Sequence, residues 1–136
     1  MALLVPNVGE VVLLSNLLAG GSLENWTLKL YKTDVTPAEG DTAASYTEAD
    51  FTGYSSKTLT RSVSGSTWAT PTTSSGTTSS SYSAQTFTSS GSSQTIYGWY
   101  IVGATSGTLI CAEKFATART LVSPDTITVT PRVELA

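Results

Sequence analysis

The run Gln94 to Ala104 constrains this chain more than any other stretch. It reads Thr95-Ile-Tyr-Gly-Trp-Tyr-Ile-Val102, almost wholly aromatic and β-branched, and it is apolar at both odd and even positions. A strand with two apolar faces must be covered on both sides, so it belongs in the middle of a sheet. Tyr97 and Trp99 are expected on one face of it and Tyr100 on the other. Thr105-Ser-Gly107 turns the chain, and Thr108 to Phe115 returns as the second arm of a hairpin.

The same two-residue period recurs elsewhere. Trp26, Leu28 and Leu30 alternate with Thr27, Lys29 and Tyr31, as a half-buried strand requires. Tyr54 to Val63 reads as a strand with Leu59, Arg61 and Val63 on one face, and Trp68 to Pro71 as a short extended piece. Ser83 to Thr88 reads as a strand around Phe87. Thr126 to Thr130 alternates strictly, with Ile127 and Val129 inward, after a turn at Ser123-Pro-Asp125. Pro131 ends it, and Arg132 to Leu135 follows as a short edge. Residues 72–81 are nearly all Ser and Thr and look like a linker. Too little chain lies on either side for two cores, so Thr/Ser-rich strands or a long turn are expected there. Asp34 to Asp50 is a long acidic loop, with a turn of helix expected at Thr47 to Phe51.

One helix precedes the strands, at residues 7–19. Asn7 is a preferred cap and Glu10 stands at the capping-box spacing. Val8, Val11, Val12, Ser15 and Leu18 fall on one face, which Leu14 and Leu17 widen. Gly20-Gly21 stops it. The total is roughly seven or eight strands and one helix, with no crossover helices between strands. The fold class is therefore mainly β: an antiparallel β-sandwich or jelly roll with one short N-terminal helix. At 136 residues the chain is one domain. Residues 1–6 form an extended segment, 7–19 the helix and 26–135 the sandwich.

Composition excludes several functions. With no histidine, neither a Ser-His-Asp nor a Cys-His site can be assembled, and zinc and haem lose their commonest ligand. A net charge of −3 argues against nucleic acid, which calls for a basic stripe. Cys111 is the lone cysteine and sits in the apolar run Leu109 to Ala112, where it reads as a small buried hydrophobe. The apolar start lacks a basic leader and is interrupted by Pro6, Asn7, Glu10 and Ser15. The expectation is no signal peptide, no membrane span, and folding in a cytoplasm.

Three constellations merit weighing. Asp34, Glu39, Asp41, Glu48 and Asp50 offer carboxylates for calcium or for glycosidase chemistry, but their spacing fits no calcium loop and a single loop gives no rigid cleft. A solvated acidic loop is the simpler reading, and no cofactor or metal is expected. Trp26, Tyr31, Trp68, Tyr82, Tyr97, Trp99 and Tyr100 could line a sugar platform, although core packing is the usual use of such residues. Trp68, among Ser, Thr and Pro, either plugs the edge of the core or anchors a partner protein. Leu3, Leu4 and Val5 precede Pro6, where the helix starts afresh, so this apolar tail is expected to add to a sheet edge of its own chain or of a neighbour. Leu3, Leu4, Val5 and Trp68 are the candidate interface residues. Charged residues are only 12% of the chain, against about a quarter in ordinary domains, while 44 are Ser or Thr. Such a surface suits a protein that works in an assembly.

Val5-Pro-Asn-Val-Gly-Glu10, Leu28-Lys-Leu-Tyr31 with Tyr46-Thr-Glu-Ala-Asp-Phe-Thr-Gly-Tyr54, and Ile96-Tyr-Gly-Trp-Tyr-Ile-Val102 with Leu109-Ile-Cys-Ala-Glu-Lys-Phe115 and Asp125-Thr-Ile-Thr-Val-Thr-Pro131 carry a resemblance. Together they resemble small virion proteins of tailed bacteriophages, of the head decoration or capsid cement type, over residues 5 to 132. The resemblance implies a β-rich structural protein that bridges and stabilises major capsid subunits. It implies a virion location, the major capsid protein as partner, and self-association, often as a homotrimer. It implies neither catalysis nor a nucleic-acid or membrane partner. A phage tail or fibre adaptor is the alternative within that class, and a carbohydrate-binding sandwich module is the alternative outside it.

Overall fold

The computed structural model describes residues 3–20, 23–61 and 67–135. Met1 and Ala2 of the apolar start, Gly21 of the helix stop and Val63 of the 54–63 stretch lie outside them. Among the described residues the order is helix α1 (Asn7–Leu18), then strands β1 (Trp26–Tyr31), β2 (Lys57–Leu59), β3 (Thr72–Ser74), β4 (Thr77–Ser81), β5 (Gln85–Thr88), β6 (Gln94–Gly103), β7 (Leu109–Leu121), β8 (Thr126–Val129) and β9 (Arg132–Leu135). Every strand pairing is antiparallel. A four-stranded sheet runs β2-β1-β6-β7, a three-stranded sheet β3-β4-β9, and a two-stranded sheet pairs β5 with β8. The mainly β, sandwich-like class read from the alternation is the class of the fold.

The β6 run is the interior strand it had to be, flanked by β1 and β7. On one side of the large sheet Leu28, Leu30, Ile96, Trp99, Ile101 and Cys111 meet Phe87, Ile127 and Val129 from the two-stranded sheet. On the other side Tyr31, Tyr100, Val102 and Ala112 are covered by Tyr46 of the long loop and by Val8 of α1. The Tyr46 and Tyr100 rings stack at 5.2 Å. β1 is therefore not half-buried throughout: Tyr31, on its second face, is fully enclosed.

Two register shifts break the β6–β7 ladder: an irregular stretch from Ile96↔Arg119 to Gly98↔Lys114, and a bulge from Ile101↔Cys111 to Val102↔Leu109. The first overturns the expected pairing of Tyr97 with Trp99. Ile96, Trp99 and Ile101 enter the main core, while Tyr97 lies half-buried with Tyr100 on the opposite side. A register shift by an odd number of residues moves every later side chain to the other face. The second shift, the bulge on β7, sends adjacent Ile110 and Cys111 both into the main core. β7 also continues past Phe115 to Leu121, further than its apolar half indicates.

Two other expectations change, in the long loop and at the helix cap, while the Thr/Ser-rich stretch takes the strand form open to it. Thr47 to Phe51 is extended, not helical: Lys32 N donates to Thr47 O and Ala49 N to Leu30 O, so this part of the loop prolongs the sheet beside β1. The only helical turn in the loop is at Ala43–Ser45. Residues 72–81 form a hairpin, β3–β4, whose two-residue loop has Ser75 at φ 50° and Gly76 at φ 84°. Positive φ at both central positions is the turn that matches strand twist. The helix is capped at Pro6, without a side-chain cap, and Asn7 is its first residue. Asn7 N instead donates to Glu39 O, 3.1 Å away in the long loop. Gly20, at φ +63°, supplies the left-handed residue that ends it.

Candidate protein-docking surface

Helix α1 is apolar nearly all round, so its periodicity does not decide which side is buried. Gly9 decides it. Gly9 is the buried residue of the helix, and a Cβ placed there would lie 2.2 Å from the Ile110 carbonyl oxygen. The missing side chain lets the helix backbone touch β7. That contact turns Val8, Val12 and Leu13 inward and leaves Val11, Leu14, Leu17 and Leu18 outward, 63%, 56%, 77% and 79% exposed. The expected face of Val8, Val11, Val12, Ser15 and Leu18 is thus split, with Val11 and Leu18 in solvent.

The outward side chains continue into a groove. Glu10, Leu13, Leu14 and Leu17 form one wall and Val133 and Leu135 of β9 the other, around about 490 Å³. Leu135 is itself 56% exposed. Single exposed leucines are ordinary, but a run of them along one helix and onto a strand edge marks a surface meant to be covered. The sequence signal for it was the width of the apolar stripe, more than one core contact can use.

The sequence-predicted interface residues lie elsewhere and not together. Leu4 exchanges both backbone hydrogen bonds with Ala112, each 2.9 Å, on the outer edge of β7. Leu3 and Val5, half-buried, pack against the main core. Of the two destinations open to this segment, the chain's own edge is the one it takes. Trp68 sits edge-on to Trp26 (5.5 Å, 80°) and to Tyr82 (5.3 Å, 66°), and its backbone bridges Tyr82. The Arg61 guanidinium lies 4.4 Å from the Trp26 ring centre. Trp68 thus closes one end of the core, half-buried.

The acidic loop is a set of clamps. Glu48 accepts from Lys29 Nζ at 2.8 Å and from Tyr54 Oη at 3.0 Å. Asp50 accepts from Lys32 at 2.6 Å, which holds its carboxyl below the usual range. Asp34 pairs with Lys114, and Asp41 accepts from Tyr46 Oη at 2.7 Å. Burial pushes the Tyr46 and Tyr31 phenols well above their ordinary value. Among the described residues no group of acids or cysteine is placed to hold a metal ion, and no helix is long and apolar enough to cross a membrane. Burial likewise pushes the Cys111 thiol far up, which keeps it protonated and unreactive. Of the aromatics offered for sugar stacking, Trp26, Tyr31, Tyr82, Trp99 and Tyr100 are buried.

No family model matches the chain, and no curated protein matches it.

Proposed function

We propose that this chain is a structural protein of a tailed-phage virion, a decoration protein that bridges and stabilises major capsid subunits and associates with copies of itself. The observation that carries a docking role is the exposed leucine face of α1 with its groove against β9. The low charge of the chain supports life in an assembly, and the resemblance described above supports the virion. Bridging works by repetition: a modest apolar contact at each site, multiplied over a shell, holds subunits against internal pressure. The proposed location is the virion head, with assembly in the host bacterial cytoplasm.

Immunogold labelling of purified virions tests the reading, with label on the head as the expected result. Label on the tail would favour the adaptor, and no label would reject the virion role. A glycan array is the parallel test, and specific sugar binding would favour the carbohydrate module. A Leu14→Ser/Leu17→Ser variant should keep its melting temperature and lose retention on expanded capsids. Both side chains already face water, so their loss costs the fold little.

A further inference from the structure

The geometry points to a two-fold pairing of this chain with a second copy through the outer edge of β9, beside the α1 groove. The inference gives the self-association of that reading one edge and one symmetry, and because it is tested on the isolated chain it can fail while the virion role stands. β9 pairs with β4 in the register Thr78↔Leu135, Ser79↔Glu134, Ser80↔Val133 and Ser81↔Arg132. Tyr82 N donates to Pro131 O at 2.8 Å. In an antiparallel ladder the backbone groups of alternate residues point the same way. Pro131, Val133 and Leu135 therefore turn theirs toward β4, and Arg132 and Glu134 turn theirs outward. Among the described residues no strand takes up that outer edge.

Side chains alternate in the same way. Val133 and Leu135 line the groove with the α1 leucines. Arg132 and Glu134 project to the other face, where Arg132 Nη1 lies 3.3 Å from Glu134 Oε1 and Arg132 Nε lies 3.9 Å from Glu113. An open edge with apolar side chains on one face is a template for another strand, and natural proteins protect such edges or use them.

The sequence of β9 fits a copy of itself. With an antiparallel two-fold axis through Val133, Val133 faces its own counterpart. Each Arg132 then stands opposite the other copy's Glu134. These Arg–Glu pairs fall where the backbone groups point outward, so they are also the hydrogen-bonded pairs of the new ladder. Opposite charges directly across strands stabilise the pairing. The second copy's Val133 and Leu135 come on the groove side, where Leu14 and Leu17 are exposed. Backbone, charge and apolar surface are then satisfied by one symmetric contact, the isologous form that most homodimers take.

Light scattering after size exclusion, over a concentration series of the full chain, tests this. A dimer is expected. Arg132→Glu sets like charges across the axis and should weaken the dimer roughly tenfold or more. Glu134→Arg should do the same, and the double exchange Arg132→Glu/Glu134→Arg should restore it. Glu134→Pro removes an outward N–H without touching the β4 ladder, and should give a folded monomer by circular dichroism. A monomer at every concentration, with the groove then left to a strand of another protein, would overturn the pairing. So would a trimer, the state the resemblance implies, or a dimer that all these variants leave intact.

Discussion

Gly9 of α1 and Ile110 of β7 meet backbone to backbone: a Cβ on Gly9 would stand 2.2 Å from the Ile110 oxygen and 2.9 Å from its carbonyl carbon. The contact falls at the bulge that places Ile110 in the core, so the strand cannot retreat without moving a buried side chain. Gly9→Ala should therefore lift the helix off the sheet, despite alanine's higher helix propensity. The expected loss is about 1–3 kcal/mol, the usual cost of overpacking, measured by urea unfolding. A more stable variant would mean that the helix docks through its side chains alone.

Gly98 makes the second such contact. Its Cβ would lie 2.2 Å from the Glu113 carbonyl oxygen and 2.4 Å from the Tyr31 hydroxyl. That hydroxyl sits 3.3 Å from Val35 O and 3.4 Å from Glu113 O, so it ties the long loop to β7 at the irregular stretch. Gly98→Ala is expected to expel the Tyr31 ring and to cost more than Tyr31→Phe, which removes only the hydroxyl. A thermal melt of the two variants decides the order, and the reverse order would remove Gly98 from this role.

What the sequence made legible follows from period. The two-sided apolar run at β6 and the alternation of Trp26, Leu28, Leu30 and of Ile127, Val129 give a sheet and its core faces, because burial selects those residues directly. Register shifts leave no such mark. Gly98 suits an irregular stretch but also a plain strand, so the opposite placing of Tyr97 and Trp99 is visible only in the paired ladder. Serine and threonine serve wet strands and turns alike, so residues 72–81 were legible as short strands or a long turn, and only the pairing Thr72↔Ser79 to Ser74↔Thr77 decides for the hairpin. The docking face was half legible: the leucines of α1 were evident, but their outward direction rests on Gly9 and on a contact one hundred residues away in the chain. Trp68 was correctly an oddity, since its apolar partners Trp26 and Tyr82 come from distant segments.

Glu24 gives the fold an acid-sensitive clamp. Its carboxylate accepts from Thr105 N (2.6 Å), Ser106 N (2.9 Å) and Ser106 Oγ (2.6 Å), and so closes the β6–β7 turn. Burial alone would raise its pKa, but the Ser106 hydroxyl, the two amides and the Arg61 charge outweigh that and hold it below its ordinary 4.5. A depressed folded-state pKa contributes stability that is present above the unfolded value and is lost as pH falls through the folded one. Glu113 acts in the opposite sense: burial raises its pKa, so acidification relieves it. The fall in melting temperature between neutral pH and about pH 3 should therefore shrink in Glu24→Gln. An unchanged acid limb would place the acid sensitivity in other carboxylates.

The N-terminal segment provides the last test, because its place in the chain decides between two kinds of loss. Leu4 is bonded to Ala112 through both backbone groups, and Leu3 and Val5 pack on the core beside it. Each backbone bond is worth about 1 kcal/mol net, and the two half-buried side chains add roughly as much again. Deleting residues 1–5 should accordingly lower the melting temperature by several degrees. It should also uncover the outer edge of β7 at Ala112 and so lengthen the open edge that runs on through the exposed Ala116 to Thr120. Faster aggregation on heating is the expected companion of the lower melting point. The mass of the assembled protein in solution should not change, since the segment closes its own chain's sheet and β9 lies elsewhere. A smaller mass with an unchanged melting temperature would show instead that the segment crosses between subunits.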